Sequence, residues 1–314
     1  MAPRLPTHSR TLALRLRRVA KGAASDVLGA ISVAVMKLAR TMDPDKASRI
    51  GGRIMRRVGP WLREDRIGRE NLRAAFPEKS EAEIEDILGG AWENLGQMAG
   101  EFAHLDRLWD FDIERQTPGR IEFTEGTVDR FLRLRDDGKP ALVFASHLAN
   151  WEMPALAAAS HGLDAAALYR GPSIDQVDRI VREIRQANMG ILVPTTLDAP
   201  VKLAKLLERG VHVGMLVDQY HSRGIEVTMF GRKTLATSML ARLAHHIPAP
   251  IHGVRVIRLP GHRFRIDLTD EIEPVRNAEG VIDQAATTQK ITNVIEGWVR
   301  EYPEQWLWMH RRWR

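Results

Sequence analysis

The chain has 314 residues, 44% of them hydrophobic and 27% charged, a composition of globular rather than disordered proteins. It contains no cysteine, which excludes disulfides, thiolate metal sites and a cysteine nucleophile. The formal charge is +6, from 46 Lys and Arg against 40 Asp and Glu, and basic ends of this kind attract phosphate-bearing partners, either nucleic acid or an anionic membrane surface.

The elements start with a basic arm. Residues 1–21 carry Arg4, Arg10, Arg15, Arg17, Arg18 and Lys21 and no acidic residue. Residues 27–36, VLGAISVAVM, are uncharged, with Asp26 before them and Lys37 and Arg40 after. Ten such residues are too few to span a bilayer, which takes about 20, so the segment reads as a marginal span or an interfacial helix. A signal peptide shares the basic start and the short apolar run, but no clear small-x-small cleavage site follows. Residues 1–43 are therefore expected to form a membrane-associated arm on the cytoplasmic side. From Asp43 to about Leu108 the pattern is helical. Ser80-Glu81-Ala82-Glu83 reads as a capping box, and behind it Ile84, Ile87, Leu88, Ala91, Leu95, Met98 and Phe102 recur at steps of three or four.

The rhythm then changes to short apolar runs alternating with helical stretches. Strands are expected at 141–145, 164–169, 190–195 and 211–217, with helices at 151–161, 173–187 and 199–209 between them. Ile225–Phe230 adds a strand and Thr234–His245 a helix. Ile251–Ile257 and Arg263–Leu268 read as a hairpin through Pro260-Gly261, and a last helix runs from about Asp283 to Arg300. Alternation at this spacing predicts an α/β fold: a mixed, largely parallel central sheet flanked by helices, behind an amino-terminal helical region.

Several familiar signals are missing. No G-x-G-x-x-G follows a strand and no G-x-S-x-G elbow exists; in Gly231-Arg232-Lys233-Thr234 an arginine stands where a phosphate loop needs glycine. His245-His246 has no comparable ligand set around it and reads as a structural pair. A metalloenzyme or nucleotidase is not suggested.

The stretch FASHLANWEMP, residues 144–154, carries more. Ligands of open α/β sheets bind beyond the carboxyl ends of the strands, where His147 falls. In a continuous helix, residues five apart sit about 140° round the axis, so His147 and Glu152 would not face each other. A turn at Leu148-Ala149-Asn150 would put Glu152 in the first turn of the helix, free to swing back to the imidazole. A carboxylate on one ring nitrogen fixes the tautomer and leaves the other nitrogen to take a proton near neutral pH. The alternative has Asn150 capping the helix and Glu152 favouring its dipole. Arg170 stands after the strand at 164–169, where it could grip an anion or be a surface arginine. Asp218 and Gln219 end the strand at 211–217, and Asp218 could meet substrate, Arg170, or only a turn. Three parallel strands ending in polar residues would converge on one crevice.

The stretches NLRAAFP (71–77), SHLANWEM (146–153), LYRG (168–171), LVDQ (216–219), MFGRKTLATSMLARLA (229–244) and PEQWLWMHRRW (303–313) resemble the lipid A biosynthesis acyltransferases of lauroyl/myristoyl type. These lie within the wider glycerophospholipid-type acyltransferase superfamily, and the likeness runs from about residue 44 to the end. It implies a glycerol-3-phosphate acyltransferase-like domain over 44–314, on the cytoplasmic face of a bacterial inner membrane. It further implies transfer of an acyl chain from acyl carrier protein, with acyl-CoA a possible donor, to a hydroxyl of a lipid A precursor. His147 would be the general base with Glu152 orienting and charging it; Arg170, Asp218 and Gln219 would bind substrate; no metal, other cofactor, acyl-enzyme or nucleic acid is implied. Trp306, Trp308 and Trp313 beside Arg311, Arg312 and Arg314 suit the lipid headgroup zone, or a terminal segment packed on the domain. The nearest alternative is an acyltransferase for another membrane lipid, such as a phosphatidylinositol mannoside, ornithine lipid or lysophospholipid; a rival of another class is a non-catalytic basic binding protein.

Overall fold

The computed structural model of the chain describes residues 26, 27, 29–113, 115, 119–172 and 174–313, so the basic arm of residues 1–25 lies outside the described residues. Residues 29–40 form helix α1, followed by α2 (Pro44–Val58), α3 (Arg63–Ala75), α4 (Glu81–Phe102) and the short α5 (Leu105–Leu108). The helical preface expected up to about Leu108 is present. Its capping box forms as the sequence implies, with Ser80 N donating to Glu83 Oε2 at 2.8 Å and Glu83 N to Ser80 Oγ at 3.4 Å. Glycines let α2 and α4 approach closely: a Cβ on Gly51 would stand 2.3 Å from Gly96 O. Helix α1 is tied to this layer by the Arg40–Asp106 ion pair and by His104 Nε2 on Ala39 O at 2.9 Å. Its other side is apolar and exposed at Val27, Ile31, Val35 and Leu38, one face at helical spacing. Among the described residues no helix is long and apolar enough to cross a membrane.

Past α5 come β1 (Ile121–Phe123) and α6 (Thr127–Asp136), in a stretch to which the sequence assigns no element; three residues are too few to show a period. Then follow β2 (Leu142–Ala145), α7 (Met153–Ser160), β3 (Ala165–Tyr169), α8 (Asp175–Asn188), β4 (Ile191–Pro194), α9 (Ala199–Leu207) and β5 (His212–Leu216). After these lie β6 (Ile225–Met229), β7 (Arg232–Ala236), α10 (Met239–His246), β8 (Ile251–Leu259), β9 (Arg263–Leu268) and α11 (Gln284–Glu301). Seven strands make one sheet in the order β1-β9-β8-β2-β5-β3-β4, parallel throughout except for the β8–β9 hairpin. The expected mixed, largely parallel sheet flanked by helices is the observed one.

One expected helix is corrected. Thr234–His245 is not helical from its start, because Arg232–Ala236 pairs antiparallel with Ile225–Met229 as a separate ribbon. The two residues between them, Phe230 and Gly231, have φ of 52° and 69°, the left-handed pair of a tight hairpin turn. The would-be phosphate loop is thus the turn and first residues of a hairpin.

The core is split by the sheet. On one side α3, α4, α9, α10 and α11 close over Phe144, Leu203, Met215 and Trp298; on the other, α5, α6 and α7 cover Phe102, Phe264 and Ile266. Strands buried on both faces explain the nearly unbroken apolar runs that end at His147 and Asp218.

Candidate active site

Register places the first two residues of the site. β2 and β5 are parallel neighbours with Ala145 opposite Leu216, so two residues further along each chain stand His147 and Asp218. Asp218 is buried and accepts three bonds: from His147 N at 2.8 Å, from the Trp306 indole Nε1 at 2.7 Å, and from His147 Nδ1, 2.7 Å from its Oδ1. A carboxylate can only accept, so the imidazole proton sits on Nδ1 and Nε2 keeps its lone pair. Burial works to raise the Asp218 carboxyl, but the imidazole's charge and hydrogen bonds, with the indole, outweigh it and hold the group down to about 2. Asp218 therefore stays an anion through the neutral range.

Nε2 faces Gln219, whose Nε2 amide is 3.2 Å away and donates to it. A cavity of about 190 Å³, partly open to solvent, lies here, lined among others by His147, Asp218, Gln219, Trp306 and Arg312. The Trp151 ring meets the imidazole edge-on, with centroids 5.0 Å apart.

The carboxyl-terminal segment builds one wall. Leu307 N donates to His147 O at 3.1 Å, Ala149 N donates to Gln305 O at 2.9 Å, and Leu148 and Trp306 form an antiparallel bridge. Of the two readings for these residues, packing on the domain rather than the headgroup zone holds for Trp306, Trp308 and Arg312, which are buried at 3%, 0% and 2% exposure. They are wall and core, while Arg311 is exposed and Arg314 lies outside the described residues.

From the other side α4 clamps the turn after the histidine. Asn94 Nδ2 donates to Gln305 O at 3.0 Å, and Asn150 Nδ2 donates to Glu101 Oε2 at 2.9 Å. Burial alone would raise Glu101, but Arg258 beside it holds the carboxyl below its usual range. Ala149 takes a positive φ of 49°, and the chain turns sharply there. Asn150 Oδ1 then accepts from Glu152 N at 3.2 Å as α7 begins, close to the capping role that the sequence offered for it.

Glu152 does not reach the imidazole. The turn carries its buried carboxylate to Arg185 on α8, which grips it bidentately through Nε, at 3.0 Å, and Nη2. Arg185 in turn lies over the rings of Tyr169 and Phe102, 5.0 Å and 5.6 Å from their centroids. The expected contact of Glu152 with the imidazole is corrected: Asp218 holds Nδ1, and Glu152 ties α7 to α8. Arg170 stands exposed just past β3, on the same edge of the sheet, and no hydrogen bond or ion pair joins it to Asp218 or His147 among the described residues.

Of the five candidates, the structure gathers His147, Asp218 and Gln219 and leaves Glu152 and Arg170 apart. The bonds of Trp306 to Asp218 and of Arg185 to Glu152 escaped sequence reasoning because the partners are 88 and 33 residues apart. The signal that could have paired Asp218 with His147 was in view, since two apolar runs end in these residues. Among the described residues no set of three His, Asp or Glu could hold a metal ion. Chemically the arrangement offers an imidazole with a fixed tautomer, an anion that can steady the imidazolium, and a wall of buried tryptophan behind it.

The family model described as bacterial lipid A biosynthesis acyltransferase matches residues 23–314. No curated protein matches the chain.

Proposed function

As the chain belongs to the bacterial lipid A biosynthesis acyltransferases, and so is an O-acyltransferase, we propose that it moves a fatty acyl chain from acyl carrier protein to a hydroxyl of a lipid A precursor. That would be a late acylation in lipopolysaccharide biosynthesis. The observation that carries the reading is the cross-strand pair at the carboxyl edge of the sheet: Asp218 holds Nδ1 of His147 and leaves Nε2 as acceptor toward the cavity.

The acceptor hydroxyl takes the place of the Gln219 amide at Nε2 and gives up its proton as its oxygen attacks the thioester carbonyl. Asp218 stabilises the imidazolium that forms, and the imidazolium returns the proton to the departing thiolate. The attack is direct, in keeping with a chain that has no cysteine. The net charge of +6 suits both an acidic carrier protein and a phosphorylated lipid.

The test is acyl transfer in vitro from acyl-acyl carrier protein to a bisphosphorylated lipid A precursor. His147→Ala should lose about 10²–10⁴-fold in turnover with its fold intact. Wild-type turnover in a folded His147→Ala protein would sink the mechanism. Acyl-CoA as a better donor, or a lysophospholipid as the better acceptor, would revise the substrates and leave the base in place.

Attachment to the cytoplasmic face of the inner membrane is part of the same proposal, supported by the exposed apolar face of α1 beside Lys37 and Arg40 and by Trp61, which is 83% exposed at the end of the α2 layer. Removing residues 1–42 should weaken partition onto anionic vesicles more than turnover in detergent. Unchanged partition would remove the anchor.

A further inference from the structure

The carboxyl-terminal segment brings one more charge to the cavity. The Nη1 group of Arg312 donates to Thr234 Oγ1 at 3.2 Å and Leu235 O at 3.0 Å, and its Nε faces Met229 Sδ at 3.4 Å. These partners are all neutral, and among the described residues no carboxylate forms an ion pair with Arg312 and no acceptor meets its Nη2. Two half-buried guanidinium groups near the site behave differently: Arg258 and Arg185 each close bidentately on a glutamate, Glu101 and Glu152. Burial pulls the Arg312 guanidinium down to about 10, with the charge of Asp218 opposing, so it remains a cation at neutral pH. Asp218 bonds His147 and Trp306 rather than the guanidinium, and a buried cation held only by neutral partners is unfavourable unless a ligand or reaction supplies further negative charge.

We propose that Arg312 is a catalytic residue, whose guanidinium receives the negative charge that develops on the acyl carbonyl oxygen. The proposal rests on the acyl-transfer reading above. As the hydroxyl oxygen bonds to the carbonyl carbon and His147 Nε2 takes its proton, the π pair of the carbonyl moves onto oxygen beside Arg312. That pair then returns, the carbon–sulfur bond breaks, and the thiolate leaves with the proton held by His147. A fixed, buried cation on the cavity wall suits charge that exists only in the transition state, since it needs no reorganisation when the charge appears. A phosphate of the acceptor is the poorer fit, because it would bring two further negative charges into the cavity that holds ionised Asp218.

The backbone of this segment has its own anchor, the Thr234 hydroxyl donating to Arg312 O at 2.5 Å, so the side chain can be changed without unpinning the tail. The experiment compares wild type, Arg312→Met, Arg312→Lys and Thr234→Val in the same acyl-carrier-protein assay, with kcat, both KM values and melting temperature for each. Arg312→Met should lose about 10²–10³-fold in kcat with both KM values within a few-fold of wild type. Arg312→Lys, which keeps the charge, should fall between the two. Unchanged kcat in Arg312→Met, or a loss confined to the acceptor's KM, overturns the proposal. So does a loss that Thr234→Val reproduces with the same drop in melting temperature, since the arginine would then only hold the tail. Absence of transfer by the wild type strikes the acyl-transfer reading itself, before any variant is compared.

Discussion

Two buried carboxylates stand at the same edge of the sheet and do opposite things. Asp218 pairs with the His147 imidazole, in a cavity that opens to solvent. Glu152 pairs with a guanidinium that is always charged and that lies over the rings of Tyr169 and Phe102. An acid locked to arginine cannot lend charge to a base, whereas an acid on imidazole changes its energy with every proton transferred. The spacing of His147 and Glu152 along the chain therefore says nothing about contact. Each acid is defined by the partner that the fold brings to it.

The sharpest way to break this contrast is to neutralise each acid in turn. Asp218→Asn should lower kcat by about 10²–10⁴-fold, because Nδ1 loses its anion and the tautomer is no longer fixed. The same change has a pH signature. Asp218 ordinarily titrates at 3.8 and is held to about 2 in the folded chain, so its contribution is full above pH 3.8 and lost as pH falls toward 2. Wild type should lose roughly 2 kcal/mol across that window beyond what Asp218→Asn loses, measured by denaturant unfolding at each pH.

Glu152→Gln should act mainly on stability. It leaves the Arg185 cation without its anion in a largely covered position, a loss of about 3 kcal/mol, while turnover per folded molecule stays within tenfold. Adding Arg185→Met should recover much of that loss, because removing both charges is far milder than stranding one. If Glu152→Gln instead abolished kcat at unchanged melting temperature, the division of labour between the two acids would be wrong.

Much of the scaffold was legible because its signals are local. The capping box at Ser80 and Glu83, the apolar runs that became β2 to β5, and the Pro260-Gly261 hairpin depend on neighbours within a few residues. His147, Asp218 and Gln219 could be named as polar ends of strands, but their assembly depends on β2 lying beside β5, a fact of strand order. The partners that decide roles are more distant still: Trp306 on Asp218, Arg185 on Glu152, Gln305 on Ala149. The tryptophan and arginine residues at the carboxyl end show the limit of composition. They look like a membrane rim, and three of the six are buried by a segment that pairs with the loop of His147. β6 was expected, but its hairpin partner β7 was missed for a different reason, since the turn between them lacks the usual Asn-Gly or Asp-Gly and uses Phe230 in a left-handed conformation.

Ala149 is where the chain turns Glu152 away from His147, and it gives the smallest expected effect. Its φ of 49° is a conformation that L-residues adopt at a penalty of roughly 1–2 kcal/mol, and the turn it makes sends Glu152 away from the imidazole. Glycine at this position removes the penalty, but it gives the unfolded chain more freedom, worth about 0.4–1 kcal/mol, and leaves a buried methyl unfilled, worth about 0.8 kcal/mol. The terms nearly cancel, so Ala149→Gly should shift stability by less than about 1 kcal/mol and turnover by less than tenfold. The backbone bonds that hold the turn, Ala149 N to Gln305 O and Asn94 Nδ2 to Gln305 O, survive that change. Ala149→Val should behave quite differently, because a β-branched side chain resists positive φ and has no room in a buried turn. A large loss in the glycine variant, read by melting temperature and kcat together, would mean that the methyl rather than the backbone path keeps His147 and Glu152 apart.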